Sequence, residues 1–542
     1  MNKYILLFLL IFSNLYSIII NAQQTIVWQK SLGGSVNDVA LSIQQTADTG
    51  YIVAGYTESN DSDVTVYYGN RDYWIVKLND LGMVQWQKSF GGTDTDVPYV
   101  IQQTSDGGYV VAGYSKSDDI DVTGNHGQED YWIVKLNSTG VLQWQKSYGG
   151  SNVDRAYAIH QTSDGGYVVA GSSNSVDGDI TAHHGGISVQ NDFWIIRIDS
   201  IGALLWEKSL GGGSSDVAYS IQQTTDGGFV IAGSTNSNDG DVTGLHGTPS
   251  KADCWIVKLN NNGVILWEKA LGGTELDYAY FIQQTGDGGY IMAGNSGSSD
   301  GDVSFHWGSF VSNDIWIVKL DSNGFITWEK TFGGTSNEVA NFIQQTLDGG
   351  YVITGYTNSN DGDLTGLHGL NIDYDYWIIK LNVSGVIQWQ QLYGGTGSDI
   401  SHCIRQVPDG GYIIAGSSSS MNGDVTDNNG SSDFWIVKLS SLINVNEIHS
   451  SITNFQTIPN PFSRETIISF QLLSSNRIEV EIHDIEGRLI KNLNSEKAVI
   501  GANEIPWDAT DNSGGKVNEG VYFVNIISNK FIESRKVVVV KN

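Results

Sequence analysis

The sequence predicts an all-β protein: a seven-bladed β-propeller closed by its own N-terminal strand, followed by a small Ig-like β-sandwich. Three observations predict it. Trp74, Trp132, Trp194, Trp255, Trp316, Trp377 and Trp435 recur every 58 to 62 residues, in phrases such as Tyr-Trp-Ile-Val-Lys-Leu. A second series, Trp28, Trp86, Trp144, Trp206, Trp267, Trp328 and Trp389, keeps the same period, mostly within Trp-Gln/Glu-Lys. Self-similarity at one period marks units that bury their apolar faces only against each other. Finally, the pattern stops after Leu439, and a differently patterned segment follows.

The fourth copy shows the elements in order. Ala218–Thr224 reads as a strand, and Asp226-Gly-Gly228 as a hairpin turn, since glycine reaches positive φ without strain. Phe229–Ser234 is the second strand, and a long polar loop runs from Thr235 to Asp253. Cys254–Leu259 is the third, apolar on both faces, as expected of a strand with a neighbouring sheet on each side. Val264–Leu271 is the fourth, ended by Gly272-Gly273. The array opens at Thr25–Leu32, a fourth strand without its preceding three, and ends at Phe434–Leu439, a third strand without its fourth. The first can therefore complete the last blade and leave no open edge; an open solenoid would need distinct caps instead.

The phrase Ile-Gln-Gln-Thr-x-Asp-Gly-Gly-Tyr, at Ile101–Tyr109 and Ile343–Tyr351, resembles that of secreted β-propeller repeat proteins. Those propellers are similar in shape to the quinoprotein-like superfamily. The resemblance spans roughly residues 24–440; it implies a fold and no particular chemistry.

Four regions follow: a signal peptide at 1–22, the propeller at 23–440, a linker at 441–457 and a C-terminal domain at 458–542. The signal peptide rests on Lys3, the mostly apolar run Tyr4–Ile20 and Ala22 before the cleavage point. No other segment is long and apolar enough to span a bilayer. The last region contains Asn460-Pro-Phe462, Thr466–Leu472, Ile478–Ile490, Gly520–Ile526 and Lys536–Asn542. That ordered set resembles the type A C-terminal sorting domain of the type IX secretion system. The resemblance implies export through the periplasm, the type IX machinery as a partner of residues 458–542, and release from or attachment to the outer-membrane surface.

The net charge of −30 argues against nucleic acid and anionic membrane as partners. Cys254 and Cys403 fall in different repeats and read as buried free thiols. No nucleophile elbow or phosphate loop occurs, and the acids repeat in every blade, so no catalytic pair stands out.

Most informative polar residues fall on the face holding the long loops. Asp216, Asp239, Asp241, Asp277, Asp300, Asp302, Asp361 and Asp363 form a recurring acidic set. Calcium, which takes about six to eight oxygens, is the cofactor such a set would suit. The alternative is that these acids cap loop backbone as Asx-turns. His126, His183, His184, His246, His306 and His368 recur in the loops of different blades, too dispersed to supply the three or four converging ligands of zinc, and read as surface or loop-packing residues. The copies differ most at Tyr67-Tyr68, His183-His184 and Phe305-His306-Trp307, so Tyr67, Tyr68, His183, His184, His306 and Trp307 are the candidate ligand-binding residues. The expected function is a secreted or surface-displayed binding or adhesion module for an extracellular glycan or protein. The alternatives are a polysaccharide-acting hydrolase and a passive cell-envelope scaffold.

Overall fold

A computed structural model describes residues 24–184, 190–308, 312–370, 372–441, 452–472, 478–493, 501–528 and 531–541. The expected signal peptide lies outside the described residues. The chain forms two units, divided between Ser441 and Leu442.

The first unit is a propeller. Its described residues form seven four-stranded antiparallel sheets, whose strands we letter a to d from the axis outward. Blade 1 comprises Asp38–Gln45, Tyr51–Thr57, Asp72–Leu78 and Val84–Phe90. Blade 7 comprises Asp399–Gln406, Tyr412–Ser418 and Asp433–Leu439, with Ile26–Leu32 as its d strand. The N-terminal strand pairs antiparallel to the last c strand, Ile26 opposite Leu439 and Leu32 opposite Phe434. Closure by the first strand is thus as expected from the phase of the repeat.

Each repeated phrase has a physical task. The c strand is buried along its whole length, as in Asp253–Leu259. Its tryptophan packs on the next-door blade: Trp255 lies 4.5 Å from Phe193, ring centre to ring centre. A buried indole N–H needs an acceptor, and the Gln or Glu of the second phrase supplies it, as Trp255 Nε1 donates to Glu268 at 2.9 Å. The lysine of Trp-Ile-Val-Lys is also buried. Lys258 Nζ reaches Asp226 of the Asp-Gly-Gly turn at 2.9 Å and donates to Leu259 O at 3.1 Å.

The Gln-Gln pair joins blades at their inner edge, where an a strand would otherwise leave its N–H groups unpaired. Gln44 Oε1 accepts from Gln103 N at 2.7 Å, and Gln103 Oε1 accepts from Ala47 N at 2.9 Å. The first glutamine therefore reaches forward one blade and the second reaches back.

Both ends of the reading shift slightly. Strand a of blade 4 begins at Asp216 and strand c at Asp253, earlier than apolar patterning indicates. Both leading aspartates are fully buried, and a buried acid does not register as a core position.

The second unit is a two-sheet sandwich. One sheet holds Ile452–Ile458, Thr466–Leu472 and Gly501–Trp507; the other holds Leu489–Asn492, Ile478–Asp484, Gly520–Ser528 and Phe531–Val539. Phe462, Ile468, Trp507 and Val524 are buried in its core. Its first strand, Ile452–Ile458, begins inside the segment read as linker and ends at the first residue read as the C-terminal domain. No helix among the described residues is long and apolar enough to cross a membrane.

Candidate functional site

The long-loop face is organised around the seams between blades. At the seam of blades 4 and 5, Asp253 opens strand c of one and Asp277 opens strand a of the next. Asp277 accepts from Gly273 N at 2.8 Å and Ser298 Oγ at 2.9 Å. Asp253 accepts from His246 N at 2.8 Å, and His246 Nδ1 lies 2.8 Å from the same oxygen. The other ring nitrogen of His246 lies 3.7 Å from Asp302 of the following blade. Burial, with the neighbouring Asp253 charge as a lesser cause, pushes Asp277 up to about 6. Burial likewise raises Asp72 and Asp314 to about 7. Excluding water disfavours the charged form and moves the titration of these acids toward neutral pH.

The expected site residues occupy this framework. Asp216 and Asp277 are buried at seams. Asp239, Asp300 and Asp361 accept from the backbone N–H of Gly213, Thr274 and Thr335 at 2.6, 2.8 and 2.8 Å. Asp241, Asp302 and Asp363 accept from Gly211, Gly272 and Gly333 at 3.3, 3.2 and 3.1 Å. Among the described residues no group of three or more His, Cys, Asp or Glu side chains is arranged to hold a metal ion.

The aromatic and histidine candidates are dispersed around the ring. Tyr67 donates its hydroxyl to Asn70 O at 2.9 Å, and Tyr68 N donates to Asp72 at 2.6 Å. His183 Nε2 lies 3.1 Å from Gln190 O. His184 spans Asp192 at 3.1 Å and Asp241 at 3.4 Å. His306 Nε2 lies 3.1 Å from Ser312 O, and Trp307 Nε1 donates to Asp363 at 3.1 Å. Tyr68, His126, His184, His246, Trp307 and His368 donate to, or lie beside, the acid that opens strand c, the same place in successive blades. They stitch seams and do not converge on one concave surface. Cys254 and Cys403 are buried free thiols, as expected.

Concavity lies on the axis. A cavity of about 510 Å³ runs between the a strands, within the usual range for ligand sites of about 300–1,000 Å³. Each a strand carries a β-bulge at its fourth residue: in blade 4 the pairing slips between Ala218 and Ser220. A bulge turns an extra side chain to one face, so residues four, five and seven of the strand line the channel. The fourth position contributes Tyr99, Tyr157, Tyr219 and Tyr280 in consecutive blades. Their ring centres are 4.8, 5.4 and 5.3 Å apart, a continuous arc. Asn341, His402 and Leu41 complete the wall opposite.

The seventh position holds the channel's charge. Five blades carry Gln44, Gln102, Gln222, Gln283 and Gln344 there; the others carry His160 and Arg405. Burial holds His402 down to about 4. Burial, and after it the Arg405 charge, also lowers His160. Arg405 is therefore the fixed cation of the channel at neutral pH. Its guanidinium lies 4.3 Å above the Phe342 ring, and its buried Nε has no hydrogen-bond partner. No Asp or Glu is among the described residues that line the cavity, although the chain carries 59 acids. Sequence reasoning missed this site. Its signals were present, namely a Tyr-rich fourth position and an Arg where the repeat has Gln, but only the bulge makes the fourth position face the axis.

Residues 458–530 match the FlgD Ig-like domain family. The regulatory protein FlaEY of Caulobacter vibrioides is 23% identical over 413 residues, covering 68% of this chain and 41% of its own length. The chain thus spans less than half of that relative. Among solved structures, the Pan2 WD40 domain of Neurospora crassa aligns at 11% identity with a TM-score of 0.41, covering 77% of this chain and 96% of that one. PorZ, an essential bacterial surface component of the type IX secretion system of Porphyromonas gingivalis, aligns at 11% identity with a TM-score of 0.26, covering 95% of this chain and 75% of that one. At these scores the likeness carries no functional argument.

Proposed function

We propose that the protein is an exported binding or adhesion module, secreted or held at the outer-membrane surface, whose propeller recognises extracellular glycan. The observation that carries this reading is the tyrosine arc of Tyr99, Tyr157, Tyr219 and Tyr280 facing an open axial cavity with Gln, Asn and His side chains around it. Flat rings bury the apolar faces of sugars at small entropic cost, while amide and hydroxyl groups satisfy sugar hydroxyls. A glycan array, run with and without calcium, tests it. Binding that Tyr157→Ala and Tyr219→Ala weaken supports the reading; an array silent under both conditions rejects it.

Export is proposed to run through the type IX secretion system, with residues 458–542 as the sorting domain. The support is the ordered set of phrases from Asn460 to Asn542. Removing these residues should trap the propeller in the periplasm of a type IX-competent bacterium; unchanged surface delivery would reject the assignment.

A further inference from the structure

We infer that the central channel selects acidic glycans, with Arg405 receiving the carboxylate of a uronic-acid unit and the tyrosine arc holding the rings that adjoin it. The inference rests on the glycan-binding reading and adds the class of sugar.

The first argument is charge. The chain carries −30 overall, yet the described residues lining the channel include Arg405 and no carboxylate. Outer acids are screened over about 8 Å in physiological salt, so a ligand inside the channel meets mainly its own walls. A cation there without a counterion is poised for an external anion. Guanidinium is also the side chain best shaped to grip a carboxylate through paired N–H donors.

The second argument is the departure from repeat symmetry. Gln44, Gln102, Gln222, Gln283 and Gln344 each accept a backbone N–H from the next blade, at 2.7 to 2.9 Å. Arg405 stands at that position and has no acceptor oxygen with which to make the same clasp. The glutamine clasp is replaced at two seams, by His160 after blade 3 and by Arg405 after blade 7, and only the second replacement brings a permanent positive charge into the channel. The stacking on Phe342 leaves the buried Nε without an acceptor, and a local rule broken with so incomplete a compensation points to a site under functional demand.

The third argument is spacing. Arg405 stands three residues further along its strand than the level of the tyrosines, about 10 Å along the axis. A chain of sugar rings threaded along the axis reaches both levels, whereas a lone small anion would use only Arg405.

The experiment is calorimetric titration of the mature chain with oligogalacturonates and with neutral gluco- and xylo-oligosaccharides of equal length. It is repeated for Arg405→Gln and Arg405→Lys. Arg405→Gln restores the repeat residue and its clasp, so its melting temperature should equal or exceed that of the parent. The expected result is about tenfold or greater preference for the acidic oligomers, as a charge-assisted paired contact provides. That preference should vanish in Arg405→Gln and survive in part in Arg405→Lys. Equal binding of neutral and acidic oligomers overturns the inference and leaves the glycan reading standing. An acidic preference that persists in Arg405→Gln overturns the role of Arg405. Failure of every oligosaccharide overturns both readings, and binding of an acidic peptide in their place would mark a different ligand class.

Discussion

Trp435 donates its indole N–H to Gln29 at 2.7 Å, joining residues 406 positions apart in the chain. Every other blade makes this bond within one repeat, 13 residues apart, as Trp255 does with Glu268. The bond is thus the same repeat contact made between the two ends of the array. Losing a buried hydrogen bond costs about 1–2 kcal/mol when one partner stays unsatisfied. Gln29→Ala should lower stability by that amount in urea unfolding. Deleting residues 24–32 should cost far more, because it strips the whole outer strand from the Phe434–Leu439 edge. A ring that unfolds at the parental midpoint after that deletion would show the closure to be unimportant.

Lys258 and Asp226 are unequal partners, with side chains 3% and 56% exposed. Removing the acid leaves a buried ammonium with backbone oxygen alone, whereas removing the lysine leaves an acid already in contact with water. Asp226→Ala should therefore cost about 2 kcal/mol, between the values for exposed and buried pairs. Lys258→Met should cost less. Paired denaturation curves test the order; equal losses would contradict it.

Two glycines of blade 4 separate steric from conformational demand. A Cβ on Gly233 would lie 2.0 Å from Val217 O, where the bulge presses strand a against strand b. Gly227, at φ +81°, has nothing within 4 Å of its Cβ direction. Gly233→Ala should cost more than about 3 kcal/mol by forcing backbone apart. Gly227→Ala should cost about 1 kcal/mol, the penalty for an L-residue in left-handed space. Thermal unfolding of the two variants decides.

The seam acids make stability fall as pH rises from about 4 to 7. Asp96, Asp216, Asp277 and Asp399 titrate at about 6, and Asp72 and Asp314 at about 7, against an ordinary 3.8, each raised chiefly by burial. Between pH 4 and 7 the folded chain therefore binds more protons than the unfolded chain, and stability declines as pH rises through that window. Asp226 behaves oppositely. Against the upward push of partial burial, hydrogen bonds from Thr224 and Lys258 bring it to about 2, so its contribution is present above pH 4 and lost below. The melting temperature should peak near pH 4–5 and be lower at pH 8. Asp314→Asn should flatten the decline between pH 4 and 7; an unchanged slope would contradict the assignment.

The blade count, the closure and the four-stranded unit were legible because they follow from local rules. Alternation, Gly-Gly punctuation and a tryptophan in each c strand recur in linear order, and the phase offset of Thr25–Leu32 against Phe434–Leu439 requires only counting. The tasks of Lys258, Gln103 and His246 were not legible, because each partner is in another strand, turn or blade. Nor was the channel. Tyr157 and Arg405 are 248 positions apart and share a wall only because seven inner strands converge and a bulge turns their fourth residues to the axis. Periodicity reports which residues share a sheet face. Whether such a face meets a neighbouring blade or encloses a cavity is set by ring geometry, and tertiary structure alone supplies that.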